Sequence, residues 1–160
     1  MAMNFNQVLP NVFVGSYPES VDDIEQLQKK VGVTALLNLQ TEEDMQRLGC
    51  DWRGLRAHCR RLKLALRHVP VRDFDAEDLR KNLPVCVQAL GELLRKGHTV
   101  YVHCTAGLGR SPSVVITYLH WVQQFELDKA VRLMQQCRPC SPNLEAIRLA
   151  SEDVLGDCAA

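Results

Sequence analysis

The sequence lacks net charge, long apolar stretches and low-complexity segments. Lysine and arginine together number 19, as do aspartate and glutamate, so the overall charge favours neither nucleic acid nor a membrane surface as a partner. No apolar run approaches the roughly 20 residues that a membrane-spanning helix needs. The first residues, Met-Ala-Met-Asn, do not resemble a signal peptide. We therefore expect residues 1–160 to form one globular domain without a membrane span.

The cysteines lack the even number and regular spacing of a disulfide-bonded framework. The chain has seven of them, and this favours a reducing compartment. The segment Cys137-Arg-Pro-Cys140 has C-x-x-C spacing. A redox or metal site would need a suitable setting or a second such pair, and the sequence shows neither. We expect no metal and no cofactor.

Strand and helix patterns alternate along the chain. Apolar or alternating runs predict strands at residues 12–14, 34–39, 67–71 and 99–103. Helical patterns cover residues 20–31, 53–62, 84–96, 113–124, 127–137 and 141–155, with Ser20 as the first cap and Gly97 after the third helix. This alternation predicts an α/β fold with a central sheet, whose strand order the pattern does not reveal.

The most informative segment reads His103-Cys-Thr-Ala-Gly-Leu-Gly-Arg110-Ser111. A predicted strand precedes it and a predicted helix follows it, so its glycines lie in a tight loop at a helix amino terminus. Backbone N–H groups and the helix dipole in such a loop bind anions. The same field favours the reactive thiolate of Cys104, and Arg110 can grip two phosphate oxygens with one planar group. The spacing therefore predicts nucleophilic attack on a phosphate ester.

Such a reaction needs an acid, because the leaving alkoxide must gain a proton. An acidic stretch follows the strand predicted at residues 67–71, and each of its carboxylates is a candidate. The first turn of a helix would account for Glu77 and Asp78, since the helix dipole stabilises acidic side chains there. The full set of candidates is Asp73, Asp75, Glu77 and Asp78.

The segment HCTAGLGRS resembles the active-site loop of the dual-specificity phosphatases, a branch of the cysteine-dependent phosphatases. In that family the acid is an aspartate upstream of the cysteine, at a fixed distance before an Asp/Asn-Leu/Ile pair. Asp73 lies five residues before Asp78-Leu79 and 31 residues before Cys104, which matches this pattern. The resemblance covers nearly the whole chain and implies a single α/β domain with a central mixed sheet flanked by helices.

The resemblance and the spacing together imply a phosphocysteine mechanism. Cys104 is the expected nucleophile and Asp73 the expected acid, while Arg110 binds the phosphoryl oxygens. Ser111 is expected to stabilise the departing thiolate, and His103 to orient the loop. The substrate is expected to contact the loop residues Thr105, Ala106, Gly107, Leu108 and Gly109.

A narrower resemblance is to the plant and algal glucan phosphatases, which remove phosphate from starch or glycogen. The segments that carry it are C-x-A-G-x-G-R in the loop, RDFDAEDLR at 72–80, VYVHCTAGLGR at 100–110, and WVQ with LEAIR at 144–148. It implies a phosphorylated glucan as substrate and stacking of Phe74 on a glucose ring beside the acid. It also implies the plastid stroma, after removal of a transit peptide, or the cytosol as the location.

The chain departs from the glucan phosphatases at several positions. They usually have Ala-Pro where this chain has Ser111-Pro112, and an aromatic pair near Arg47-Leu48. Their redox-partner cysteine corresponds to Asn38 here. Aromatic residues make up only 6% of the chain, although glucan binding needs aromatic platforms. We expect no carbohydrate-binding module.

Trp52 and Tyr17 are further candidate platforms, and partial burial is the other interpretation of each. Two alternatives to a glucan phosphatase stay open from the sequence. The same chemistry could act on a phosphoprotein or a phosphoinositide, or the loop could belong to a phosphate-binding module without turnover. In each case we expect a monomer that binds a phosphomonoester and no nucleic acid.

Overall fold

A five-stranded mixed sheet forms the centre of the protein, in a computed structural model that describes the backbone of residues 2–159 and the side chains of residues 2–156. The strands are β1 (Phe5–Leu9), β2 (Val12–Gly15), β3 (Ala35–Asn38), β4 (Ala65–His68) and β5 (Val100–His103). Their order in space is β1-β2-β5-β3-β4. Strand β1 pairs antiparallel with β2, and the other neighbours are parallel, which confirms the mixed sheet expected from the resemblance.

Helices cover both faces of the sheet. They are α1 (Val21–Gln26), which a π-helical turn extends over Leu27–Val31, α2 (Glu42–Arg47), α3 (Trp52–Arg61), α4 (Ala76–Arg95), α5 (Arg110–Trp121), α6 (Leu127–Cys137) and α7 (Leu144–Ala159). Successive side chains of a strand point to opposite faces. Leu37 and Val102 therefore join the core with α4 to α7, whereas Leu36 and Tyr101 join the core with α1 and α3. Burial on both faces explains why β3 and β5 are continuous apolar runs.

Strand β5 occupies the middle of the sheet and ends at His103, so Cys104 follows at the carboxyl end of the central strand. Ligand sites of open α/β sheets lie at this edge. Helix α5 begins at Arg110 with Pro112 in its first turn, as predicted, and is buried over most of its length. The residues between Cys104 and Arg110 thus form a short loop clamped between a buried strand and a buried helix.

Several element boundaries differ from the predicted ones by up to four residues, and two elements differ in ways that have a clear physical reason. Helix α4 begins at Ala76, well before the predicted start at residue 84, because Asp75 caps it by accepting a hydrogen bond from the Asp78 N–H at 3.0 Å. The strand predicted at residues 67–71 lies at Ala65–His68, where it pairs in register with β3. It ends before Pro70, which has no N–H to donate.

Two elements, β1 and α2, are absent from the sequence-based expectations. Strand β1 lies at the edge of the sheet and has mostly exposed or half-buried side chains, and α2 is only six residues long. Neither produces the apolar periodicity by which elements are recognised. None of the described helices combines the length and apolar character needed to cross a membrane. The six cysteines whose side chains are described are free thiols.

Candidate active site

Cys104 lies where β5 meets the loop, and its side chain is almost fully buried. Its Sγ lies 3.3 Å from the hydroxyl oxygen of Ser111, in the first turn of α5. Ser111 is inaccessible to solvent. The fold therefore brings two of the predicted site residues into contact, with a hydroxyl donor beside the sulfur.

The loop from Thr105 to Gly109 is held by its carbonyl oxygens, which accept hydrogen bonds from donors outside the loop. In a trans peptide the N–H points opposite to the carbonyl of the same unit. The N–H groups of residues 106–110 therefore turn inward and form an anion cradle, as the spacing predicts. The outer donors are Tyr17 N to Thr105 at 3.1 Å, Arg138 Nη2 to Ala106 at 3.0 Å, Arg138 Nε to Gly107 at 2.8 Å, Ser141 N to Leu108 at 2.7 Å and Ser113 Oγ to Gly109 at 2.7 Å.

Gly107 shows why this loop needs glycine. Its φ of 73° lies in the left-handed region, which residues with a Cβ rarely adopt. A Cβ at this position would also overlap the backbone of Gly15, at the end of β2. The loop therefore packs directly against the backbone of a neighbouring strand.

Arg138 is a functional residue that the sequence analysis missed. It directly follows α6, lies between the two cysteines of the C-x-x-C pair and is only 3% exposed. Besides two loop carbonyls, its guanidinium donates to Asn6 Oδ1 at 3.0 Å and to Asn4 Oδ1 at 2.6 Å. These acceptors are all neutral, so the positive charge of Arg138 adds to the field of the cradle. The C-x-x-C spacing draws attention to its cysteines, whereas the arginine between them supports the loop.

Arg110 opens α5 and is also only 3% exposed. Its Nη1 donates to Asp44 Oδ2 at 2.7 Å and to the Val71 carbonyl at 2.8 Å. Its Nη2 donates to Thr105 Oγ1 at 3.3 Å and lies 3.2 Å from Asp73 Oδ2. The buried Nε has no hydrogen-bond partner among the described residues. These contacts fix the plane of the guanidinium beside the cradle.

Asp44 is the second functional residue that the sequence analysis missed. It forms a capping box with Thr41 at the start of α2, where each residue accepts a hydrogen bond from the backbone N–H of the other. Burial alone would raise the pKa of Asp44, but hydrogen bonds from Arg110 and Thr41 and the charge of Arg110 hold it below its ordinary value of 3.8. Thr-x-x-Asp is a capping signal visible in the sequence, whereas the contact with Arg110, 66 positions away, is not.

Asp73 is the carboxylate of the acidic stretch that reaches Arg110. Its side chain is 31% exposed, so solvent and substrate have access to it. The structure therefore separates Asp73 from the other candidates, which are engaged at the start of α4. Asp75 caps the helix, Asp78 accepts a hydrogen bond from the Arg72 N–H at 2.8 Å, and Glu77 lies 3.5 Å from Arg80.

Phe74 is fully exposed beside Asp73 and has a φ of 57°. A positive φ at a bulky residue and an aromatic ring in solvent are both unusual. A cavity of about 320 Å³ joins Phe74 and Asp73 to Cys104, Arg110 and Leu108. We refer to it as the Phe74 cavity.

His103 is almost fully buried at the end of β5. Burial lowers the pKa of His103 to about 3, so the imidazole is neutral. Its Nδ1 lies 3.4 Å from the carbonyl oxygen of Cys104, to which an Nδ1–H donates. The ring therefore contacts the peptide that joins the strand to the loop.

Residues 12–150 match the family described as the dual specificity phosphatase catalytic domain. The chain belongs to this family, as the HCTAGLGRS segment predicts. Among its relatives, the amyloplastic phosphoglucan phosphatase DSP4 of Castanea sativa is 39% identical over 97% of this chain and 42% of its own length. The chloroplastic phosphoglucan phosphatase LSF1 of Arabidopsis thaliana is 35% identical over 97% of this chain and 26% of its own length. The chain thus spans less than half the length of these relatives.

Similarity extends to laforin of Mus musculus, which is 34% identical over 86% of this chain and 45% of its own length. Solved structures share the fold. Human DUSP28 is 27% identical with a TM-score of 0.72, covering 94% of this chain and 95% of its own. PTPMT1 in complex with PI(5)P has a TM-score of 0.79 at 20% identity, covering 98% of this chain and 99% of its own, a likeness of fold alone. The predicted fold class is confirmed.

Proposed function

We propose that the protein is a phosphomonoester hydrolase that acts through a phosphocysteine intermediate and whose substrate is a phosphorylated glucan. The observation that carries the chemistry is the inward-facing cradle, which surrounds Cys104 and is bordered by Arg110 and Asp73. The observation that favours glucan is the similarity to two phosphoglucan phosphatases over 97% of the chain.

The first step transfers the phosphoryl group to the enzyme. The Cys104 thiolate attacks phosphorus, an S–P bond forms, and the P–O bond to the sugar breaks. Asp73 donates its proton to the departing sugar oxygen.

The second step regenerates the enzyme. Water attacks phosphorus while Asp73, now a carboxylate, accepts its proton. The S–P bond breaks, inorganic phosphate is released, and the hydroxyl of Ser111, 3.3 Å from Sγ, donates to the departing thiolate.

Arg110 and the N–H groups of residues 106–110 act on the transferring phosphoryl group in both steps. Charge builds up on its equatorial oxygens in the transition state, and preorganised donors in a buried site stabilise it without further rearrangement. Because Asp44, Val71 and Thr105 fix the guanidinium beforehand, little of this stabilisation is spent on orienting Arg110. His103 keeps the strand-to-loop peptide in place.

Phe74 is the side chain we assign to the sugar. Its ring stands fully exposed next to Asp73, where the bond to be cleaved must lie. An aromatic face covers the apolar face of a sugar ring. A phosphoprotein or phosphoinositide substrate is the second candidate, because the same family includes proteins such as dual specificity protein phosphatase 22 of Homo sapiens, 27% identical over 90% of the chain.

Release of inorganic phosphate tests the substrate class. We expect a higher kcat/KM with phosphorylated starch than with a phosphotyrosine peptide or a phosphoinositide, with para-nitrophenyl phosphate as the common reference. A preference for the peptide or lipid would instead support the second candidate. Cys104→Ser is the control: it should abolish turnover but keep binding, because a hydroxyl stays protonated while the cradle persists. Binding without turnover in the wild type would indicate a module that only holds phosphate.

We also propose that residues 1–160 form one catalytic domain, acting as a monomer in a reducing compartment. The names of two relatives refer to the amyloplast and the chloroplast, and this supports a plastid location. Gel filtration tests the monomer, and fractionation of cells that express the tagged protein tests the location.

A further inference from the structure

A second cavity lies between α3 and β4, away from the catalytic loop. It measures about 520 Å³, and none of the described residues lines both this cavity and the Phe74 cavity. Its aromatic and basic lining residues are Trp52, Arg56, Arg60, Arg67 and His68. We refer to it as the Trp52 cavity. Trp52 is a candidate platform in the sequence analysis, and the structure places it at a site that Cys104 does not line.

The geometry of α3 builds the basic wall of the Trp52 cavity. Trp52, Arg56 and Arg60 are spaced four residues apart, so they lie on one face of the helix. Leu55 and Cys59 of the same helix are buried in the core and hold it against the sheet. The ring and the two guanidinium groups are therefore presented together along one edge of the cavity.

The charges around the Trp52 cavity favour an anion. Arg67 has a partner, because its Nη1 lies 2.8 Å from Glu92 Oε2. Among the described residues, no carboxylate forms a salt bridge with Arg56 or Arg60. Asp51, the nearest acidic residue in the sequence, caps the start of α3 and does not line the cavity. Two unpaired guanidinium groups one helical turn apart can bind adjacent phosphate groups of one ligand.

The aromatic side of the Trp52 cavity favours a planar ring in the same ligand. Arg56 Cζ lies 5.9 Å from the centroid of the Trp52 ring, and the His68 ring packs edge-on against the indole at 5.3 Å between centroids. Nucleobases stack on indole rings and on guanidinium planes. The volume also suits a ligand larger than free phosphate, since small-molecule pockets measure roughly 300–1,000 Å³.

The Trp52 cavity has the composition of a binding site and not of a second catalytic site. Cys59 is the nucleophilic side chain that lines it. Burial raises the pKa of the Cys59 thiol to about 11, so it stays protonated near neutral pH and is a poor nucleophile. No carboxylate among the described residues lines the cavity to act as an acid or a base.

We propose that the Trp52 cavity binds a nucleoside polyphosphate at a site separate from the catalytic centre. The base stacks beside Trp52 and Arg56, and the guanidinium groups of Arg56 and Arg60 bind the phosphates. This inference goes beyond the proposed phosphatase activity and does not depend on the substrate that reaches Cys104.

Tryptophan fluorescence tests the site directly. Trp121→Phe leaves Trp52 as the single tryptophan, since the chain has two, and titration with ATP in magnesium-free buffer should quench its emission saturably. Arg56→Gln/Arg60→Gln should raise the Kd for ATP about tenfold, because two charged contacts to phosphate are lost. Trp52→Ala, measured by equilibrium dialysis, should raise the Kd about fivefold through loss of the stacking surface.

Arg53→Gln/Arg61→Gln is the matched control. It removes two arginines from the same helix at positions that do not line the cavity, so its Kd for ATP should stay at the wild-type value. Inorganic tripolyphosphate has no base and should bind about tenfold more weakly than ATP. Saturating ATP should leave the KM for para-nitrophenyl phosphate unchanged, because the two sites have separate linings.

The opposite results would overturn the site. Absence of saturable ATP binding would do so, as would equal weakening in the two double variants, because ATP would then respond only to net charge. Tripolyphosphate that binds as tightly as ATP would contradict recognition of a base. A polyglutamate peptide that displaces ATP and binds more tightly would indicate an acidic protein segment instead. A KM that rises with ATP, with wild-type affinity in Arg56→Gln/Arg60→Gln, would place ATP in the cradle. Circular dichroism of each variant establishes that it is folded.

Discussion

Two buried arginines lie on opposite sides of the same loop, and their partners differ. Arg110 and Arg138 are each 3% exposed. Arg110 faces the inner side, the cradle, and pairs with the carboxylates of Asp44 and Asp73. Arg138 faces the outer side and donates to neutral oxygens, two of them loop carbonyls. Burial alone does not distinguish the two residues, whereas the nature of the acceptors does.

The difference assigns separate tasks to the two arginines. The carboxylates on the inner side offset the positive charge of Arg110 before a phosphate binds beside the guanidinium. On the outer side, two of the four hydrogen bonds of Arg138 fix the directions of the Ala106 and Gly107 carbonyls, and so those of the N–H groups opposite them. Changes on the inner side should therefore reduce activity more than stability, and changes on the outer side should reduce both activity and stability.

The largest effect is expected for Arg110→Lys on the inner side. An ammonium cannot reproduce the bidentate geometry of the guanidinium, so kcat/KM for para-nitrophenyl phosphate should fall about 10³-fold. Lysine keeps a positive charge beside Asp44, so the midpoint of thermal unfolding should fall less than in Arg138→Met. If the lysine variant kept most of the activity, Arg110 would supply only positive charge. The assignment of separate tasks to Arg110 and Arg138 would then be wrong.

Asp73→Asn should reduce kcat about 10³-fold, as expected for loss of a general acid. It should also remove the basic limb of the pH–rate profile, because no carboxyl remains to lose its proton. Asp75→Asn is the matched control and should retain far more activity, since asparagine also caps helices well. Equal losses in the two variants would mean that the acid is not the carboxylate closest to Arg110.

Arg138→Met should affect both activity and stability. Four acceptors lose their donor, so the free energy of unfolding should fall by about 3 kcal/mol. Misplaced loop N–H groups should lower kcat/KM about 10²-fold. Urea unfolding and kinetics of Arg148→Met, at an exposed arginine of α7, give the control. A variant of unchanged stability would show that the outer side needs no such support.

Asp44→Asn should lower kcat/KM about tenfold, because Arg110 keeps its other partners but loses its strongest orienting contact.

Asp44 also links stability to pH. Since its pKa in the folded protein lies below the ordinary 3.8, its stabilising contribution is present above that pH and is lost as the pH falls through the folded value. Urea unfolding above and below pH 3.8 should therefore show a smaller acid destabilisation in Asp44→Asn than in the wild type.

The smallest effect is expected for Phe74→Ala, at the outermost side chain of the inner side. Phosphate release from starch should fall about fivefold through loss of the stacking surface, while hydrolysis of para-nitrophenyl phosphate should change less. Removal of a fully exposed ring should leave thermal stability unchanged. Phe74→Tyr keeps the ring and is the control. Parallel losses on both substrates would mean that Phe74 positions Asp73 rather than the sugar.

The sequence predicts the inner side of the loop far better than the outer side. The C-x5-R spacing between a strand and a helix leads to the cradle. The resemblance to the dual-specificity phosphatases, and not the sequence pattern alone, singles out Asp73 as the carboxylate that the structure places at Arg110. The strand, the loop and the start of the helix lie in one short continuous segment. Strong patterns of this kind, such as the apolar runs of β3 and β5, depend on local chemistry that a sequence displays directly.

The residues that escaped prediction act across long sequence separations. Asp44 meets Arg110 over 66 positions, and Arg138 meets Gly107 over 31. Neither contact follows from periodicity or capping, because both depend on how β3, β5 and α6 are arranged in space. The start of α4 was predictable in principle from the acidic residues after Asp75, but the apolar stripe beyond residue 84 dominates the pattern.

The contacts of Arg138 also bear on the order of folding. Its guanidinium joins Asn4 and Asn6 over separations of 134 and 132 residues, so these bonds close only after nearly the whole chain has come together. Contacts of such high order form at a large entropic cost and favour late assembly. Strand β5 and helix α5 can meet earlier, but the loop between them acquires its final shape only with these bonds. We therefore expect the cradle to take its final form late in folding, after Asn4 and Asn6 have met Arg138.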